Sequence, residues 1–129
     1  MNLIDTKLTG IELQRHAVLP APVQELPIFS QIFGCKIFCK RDDLTGFGFG
    51  GNKARKLDFL IADALRSQGD TLPAVGANQS KFCRTVSAYG SAHDMDAHLV
   101  LGGKEPVFPT GNLRLDHILG AEEIWGHVT

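Results

Sequence analysis

The chain has 129 residues, of which 43% are hydrophobic and 21% charged, with a net charge of −1. That is the balance of a globular domain able to bury roughly two-thirds of its unfolded surface. A charge so near zero leaves no electrostatic footprint for nucleic acid or an anionic membrane. No apolar run approaches the roughly 20 residues of a membrane span. Residues 1–16 carry charges of both signs and lack the apolar centre of a secretory signal, so the expected location is the cytoplasm.

Residues 1–27 read as an irregular arm punctuated by Pro20, Pro22 and Pro27. Ser30–Phe33 is expected to form a short helix ended by Gly34, and Cys35–Arg41 a strand. Asp42–Thr45 and the glycine run Gly46–Gly51 follow as a loop. The strongest helix signal comes next: Leu57, Leu60, Ile61, Ala64 and Leu65 repeat at the spacing of one buried face. Asn52 stands where a cap would start that helix and Gly69 where it would end.

Thr71–Gly76 predicts a strand, with Pro73 at odds with its first half. Phe82–His93 has a helical pattern weakened by Gly90 and two serines. Ala97–Leu101 is a strand, Gly102–Thr110 a loop, Asn112–Leu119 a short helix before Gly120, and Glu123–Val128 a last strand. Alternation of strand and helix from Cys35 onward predicts an α/β fold, a parallel sheet flanked by helices. Ligands in such sheets lie beyond the carboxyl ends of the strands, which directs attention to two loops, Asp42–Lys53 and Gly76–Lys81.

Cys35 and Cys39 lie four residues apart in a predicted strand, about 13 Å and too far for a disulfide. With Cys83 alone and no tight His/Cys cluster, all three are expected to be buried free thiols, with no structural zinc.

Lys53, Arg55 and Lys56 crowd the first turn of the best helix, where the dipole disfavours cations by about 0.3–1 kcal/mol each. Either these are solvated surface cations, or the loop has a function or a compensating anion. The preceding glycines would let a ligand approach the backbone. The dipole also eases loss of a proton from Lys53, and a neutral amine is what attack on an aldehyde requires. Gly46, Gly48 and Gly51 fit a dinucleotide spacing, but four residues separate the strand from the first glycine, and Asp70 precedes its strand. A nucleotide-triphosphate loop fails at Gly51-Asn52-Lys53-Ala54, which lacks the Ser/Thr after lysine.

The string KRDDLTGFGFGGNKARKLDFLIADAL (Lys40–Leu65) resembles the segment that holds the Schiff-base lysine in the 1-aminocyclopropane-1-carboxylate deaminase/D-cysteine desulfhydrase family. The likeness continues through Gly76–Arg84, Gly111–Asp116 and Ile118–Ala121 in the family's order and spacing. It implies a tryptophan-synthase-β-like (fold type II) enzyme dependent on pyridoxal 5'-phosphate, with Lys53 holding the cofactor and moving protons. The small amino-acid substrate would be of the D-cysteine or 1-aminocyclopropane-1-carboxylate kind. Residues 1–45 would belong to the larger cofactor domain and 46–129 to the small α/β domain.

Ala77–Ser80 opens the next helix, whose free N–H groups suit a carboxylate or phosphate. From the residues alone, Ser80 is equally a simple helix cap. The resemblance gives Ser80 a place near the reacting carbon, with Gln79 at the substrate, Asn52 beside the cofactor, and position 81 facing the ring's phenolic oxygen. The sequence departs from the family pattern there: Lys81 replaces asparagine, and Phe82 a histidine or glutamine. Arg84 reads as a helix anchor. Family members are much longer, so the cofactor's phosphate cup and the group opposite its ring nitrogen are expected outside this chain. The chain alone is expected to be inactive, to associate with itself, or to need a complementary C-terminal half. A non-catalytic α/β binding module and a dinucleotide-binding domain are the alternatives.

Overall fold

A computed structural model describes residues 13–126. Its centre is a parallel three-stranded sheet in the order β3 (Thr71–Ala77), β4 (Asp96–Gly102) and β5 (Glu122–Gly126). Between these strands run α3 (Lys81–Ala92) and α4 (Gly111–Ile118), and α2 (Ala54–Arg66) precedes them. Pro73 is tolerated in β3 because that strand lies at the sheet edge, where a missing N–H is harmless.

The Cys35–Arg41 segment behaves differently from expectation. Only Phe38–Lys40 is extended (β2), and it pairs antiparallel with β1 (Val23–Glu25) in a separate two-stranded ribbon. Between them lies α1 (Pro27–Phe33), which begins on Pro27 and ends at Gly34 in the left-handed conformation (φ 66°). The parallel sheet therefore starts at Thr71. None of the α1 residues is buried.

The core lies between one face of the sheet and the helices. Leu72, Ala74, Ala97, Leu99 and Leu101 meet Leu57, Ile61, Val86 and Tyr89 there. Helix α3 is buried continuously from Cys83 to Gly90. Its glycine is a contact point: a Cβ at Gly90 would stand 2.8 Å from the Met95 carbonyl and 3.2 Å from the Ala97 Cβ. Tertiary contact thus overrides the weak local propensity there.

The buried stripe of α2 is rotated from the expected one. Ala54, Leu57, Asp58, Ile61 and Ala62 are buried, whereas Leu60 and Leu65 are exposed. Asp58 draws the helix round: it accepts from the Tyr89 hydroxyl at 2.5 Å and from the His16 N–H at 3.0 Å. The helix ends with Gln68, not Gly69, in the left-handed conformation (φ 56°). The Gln68 and Gly69 N–H groups then close on the Leu65 and Ala64 carbonyls. Of the three cysteines only Cys83 is buried; Cys35 is exposed and Cys39 half-buried, all as free thiols. Among the described residues, no helix is long and apolar enough to cross a membrane.

Candidate active site

The glycine loop is two consecutive 3-10 turns, Asp42–Thr45 and Phe47–Phe49, leading into α2. Fully buried Thr45 closes it, with Oγ1 2.9 Å from the Asp42 and Gly51 carbonyls and accepting from the Gly51 N–H at 3.0 Å. The Gly51 N–H also reaches the Asp42 carbonyl at 2.8 Å, and the Gly50 N–H the carbonyls of Gly46 and Phe47. Gly50 has no alternative at its position: φ is +74°, and any Cβ would strike the Asp43 carbonyl.

Lys53, half-buried, is the residue from which α2 departs, and its carbonyl accepts from the Lys56 and Leu57 N–H groups. Asn52 lies one residue before this point, exposed, and makes no side-chain cap. Of the three crowded cations, Arg55 has its compensating anion, an Asp42 carboxylate oxygen at 2.5 Å. Among the described residues, Lys53 and Lys56 have no ion-pair partner.

In the second loop Ser80 caps α3, its Oγ accepting from the Cys83 N–H at 3.2 Å. Capping uses a lone pair of that oxygen and not its proton. The cap is tight because Gly76 faces it; a Cβ there would lie 2.7 Å from both Ser80 Oγ and Cys83 Sγ. Burial pushes the Cys83 thiol up, away from nucleophilic chemistry, against a smaller opposing effect of the Ser80 hydrogen bond. Lys81 is exposed at the first position of α3, and Phe82 packs half-buried against the core.

Gln79, exposed on the second loop, holds the start of α4. Its Nε2 donates to the Thr110 carbonyl at 2.9 Å, and its Oε1 accepts from the Asn112 N–H at 3.0 Å. Asn112 returns a bond from Nδ2 to the Gln79 carbonyl at 2.8 Å. The same asparagine presents Oδ1 to Arg84 Nη1 at 3.3 Å, while Arg84 Nη2 donates to the Gly50 carbonyl at 2.8 Å. Arg84 is buried, its pKa lowered by desolvation and partly restored by Asp116, and its guanidinium lies 5.9 Å from the centre of the Phe49 ring. A chain of contacts Gly50–Arg84–Asn112–Gln79 therefore joins the loop before Lys53 to the loop before Ser80.

A family model for pyridoxal-phosphate-dependent enzymes matches residues 15–127. The chain belongs to this family. It is 45% identical over 101 residues to a protein assigned as a 1-aminocyclopropane-1-carboxylate deaminase in Pyrococcus horikoshii, and 44% identical to its counterpart in Pyrococcus furiosus. Each match covers 78% of this chain and 30% of the relative. A solved homologue of ACC deaminase superposes with a TM-score of 0.90 at 37% identity, over all of this chain and 39% of that one. A fungal L-serine ammonia-lyase from Rhizomucor miehei shares the fold at TM-score 0.64 and 15% identity, over 85% of this chain and 33% of that one. The chain thus spans about a third of the length of the relatives it matches, and its fold is part of the fold type II architecture.

The residues present fit one end of pyridoxal 5'-phosphate. A half-buried primary amine at Lys53 suits its aldehyde, and the hydroxyl of Ser80 and ammonium of Lys81 suit oxygen atoms of ring or substrate. The phosphate end is another matter. A phosphate cradle needs free backbone N–H groups, and those of Gly50 and Gly51 are turned inward to carbonyls of their own loop. Of the glycines with dinucleotide spacing, Gly51 likewise has its N–H turned to the Asp42 carbonyl and Thr45 Oγ1. Sequence reasoning missed Thr45 and the linking role of Asn112. No local rule marks Thr45; Asn112 was visible only as part of a family string.

Proposed function

We propose that this chain is the N-terminal portion of a pyridoxal-phosphate-dependent deaminase or desulfhydrase acting on a small amino acid such as D-cysteine or 1-aminocyclopropane-1-carboxylate. The observation that carries this reading is the setting of Lys53. It is a half-buried lysine at a helix start, without an ion-pair partner among the described residues, behind a closed glycine loop fastened to the Ser80 loop. Lys53 holds the cofactor and carries protons to and from the substrate carbon. Ser80, still able to donate its hydroxyl proton, orients the substrate carboxylate with the N–H groups at the start of α3. Lys81 faces the ring oxygen in place of an asparagine, adding a charge and a longer stem. Asn52 lies beside the cofactor, and Gln79 shapes the substrate side through its hold on α4. The cofactor, when bound, supplies the electron sink for bond cleavage at the substrate carbon.

We divide the chain at 45/46, assigning the β1–α1–β2 segment to a larger cofactor domain and the rest to the small α/β domain. The bare face of the parallel sheet supports an obligate partner. Val75, Val100 and Ile124 stand side by side across its three strands and are exposed. We assign that face to a complementary C-terminal half, and we place the protein in the cytoplasm.

Adding pyridoxal phosphate to the chain together with the C-terminal portion of a relative should give a coloured complex that turns over D-cysteine or 1-aminocyclopropane-1-carboxylate. The chain alone should have no steady turnover. Colour and turnover that persist in Lys53→Ala would overturn the assignment. The same bare face also suits a non-catalytic binding module. That reading predicts a stable complex without any change in absorbance.

A further inference from the structure

Three segments meet at the carboxyl end of the sheet: the glycine loop before α2, the Ala77–Ser80 loop before α3, and the start of α4. Each is ordered locally by its own hydrogen bonds, through Thr45 in the first and the Ser80 cap in the second. Local order does not fix one loop against another. The bonds that cross between them involve very few side chains. Arg84 reaches from α3 to the Gly50 carbonyl at 2.8 Å and to Asn112 Oδ1 at 3.3 Å. Asn112 and Gln79 then exchange two bonds, at 2.8 and 3.0 Å.

We propose that Arg84 and Asn112 are positioning residues, a two-residue relay that holds the Lys53 loop in register with the Ser80 loop. The inference rests on the reading of Lys53 and Ser80 given above and extends it to residues that touch neither cofactor nor substrate. Arginine suits this place because its planar fork serves two acceptors in fixed directions, which a lysine ammonium on a flexible stem does not. Asparagine suits position 112 because its amide is acceptor to Arg84 and donor to the Gln79 carbonyl at once. The backbone is shaped for the exchange as well. Gly111 has φ +56°, and a Cβ there would run into the Gln79 side-chain amide. What the relay fixes is the distance between an amine on one loop and a hydroxyl on another, and a displacement of about 1 Å can reduce rates on the order of a hundredfold.

The test compares the 129-residue chain with Asn112→Ala, Arg84→Lys and Gly111→Ala by amide hydrogen exchange, which needs no cofactor. Asn112→Ala should speed exchange at Gly50 and Gly51 about fivefold, the worth of one hydrogen bond, while Leu99 in the sheet keeps its protection. Arg84→Lys should act at Gly50 and Gly51 more strongly than at Ser80. Gly111→Ala, which cuts only the Gln79 side, should act at Ser80 and leave Gly51 nearly unchanged. Unchanged exchange at Gly50 and Gly51 in Asn112→Ala, or equal acceleration there and at Leu99, would overturn the relay.

Borohydride reduction with pyridoxal phosphate then separates the two levels of the claim. Wild type should be labelled at Lys53 ahead of Lys56 and Lys81, and Asn112→Ala should lose most of that preference while melting as a folded protein. Equal preference in both proteins would overturn positioning while leaving Lys53 as the cofactor residue. No preference in wild type would overturn the cofactor reading, and the exchange pattern would still decide whether the loops are coupled.

Discussion

The two faces of the parallel sheet have opposite surroundings. On one face Leu72, Ala74, Ala97, Leu99 and Leu101 lie under the helices, nearly inaccessible. On the other, Val75, Val100 and Ile124 form a row across β3, β4 and β5 in direct register, and Val75 is 74% exposed. Above that row a groove of about 540 Å3 runs along Gly76, Ala77, Gly102, Gly103 and Gly126, with none of the candidate site residues in it. Parallel strands read as continuous apolar runs because both of their faces are normally covered. The Val75–Val100–Ile124 row thus has interior character, while Thr71, Asp96, His98 and Glu122 make the amino-terminal half of the same face polar. Residues 21–41 repeat the contrast, since Ile28, Phe29, Ile32 and Phe33 of α1 are all exposed.

The largest effect that would sharpen this contrast is Leu99→Ala. It removes a fully buried side chain from the covered face and should destabilise by about 3–4 kcal/mol in urea melts. A loss below about 1 kcal/mol would mean that the helices do not pack the sheet as described.

The next concerns Asp116, a buried residue of α4, whose carboxyl is raised to about 6. Burial is the main cause and Glu123 adds to it, against the Ser87 hydrogen bond, Arg84 and His117. The folded chain holds this proton more tightly than the unfolded chain. The stabilising contribution is therefore full below about pH 4 and is lost as pH rises through 6, roughly 2–3 kcal/mol in all. Asp116→Asn should remove that portion of the slope, so the difference between the two proteins should change between pH 4 and 7. A constant difference would contradict the assignment.

Tyr89→Phe should cost about 1–3 kcal/mol, because it takes from buried Asp58 the hydroxyl that reaches it at 2.5 Å. The smallest effect is expected on the bare face. Val75→Ser should change the stability of the chain by no more than about 0.5 kcal/mol and reduce its association in sedimentation. A large loss of stability there would show that the face is covered within this chain.

The same contrast explains what was legible in advance. The order of β3, α3, β4, α4 and β5 follows from period and punctuation, which act within each segment. The fate of β2 does not, because a three-residue strand takes whichever neighbour is offered, and here that is β1. The rotation of α2 was hidden for a similar reason: Leu60 and Leu65 match Leu57 and Ile61 in hydrophobicity, and only the Asp58–Tyr89–His16 contacts decide which stripe faces inward. At the candidate site, Lys53 and Ser80 were marked by a motif. Asn52 was expected to cap α2 and does not, and the hold of Gln79 on Thr110 and Asn112 had no local signal. Links between loops distant in sequence leave no periodic trace.

We read Lys53 as the residue built to take an aldehyde. The most direct test of this reading is reduction by borohydride in the presence of pyridoxal phosphate, followed by peptide mapping of all lysines. Label should concentrate at Lys53, with Lys56 and Lys81 well behind although both are more exposed. Label distributed in proportion to exposure would contradict it.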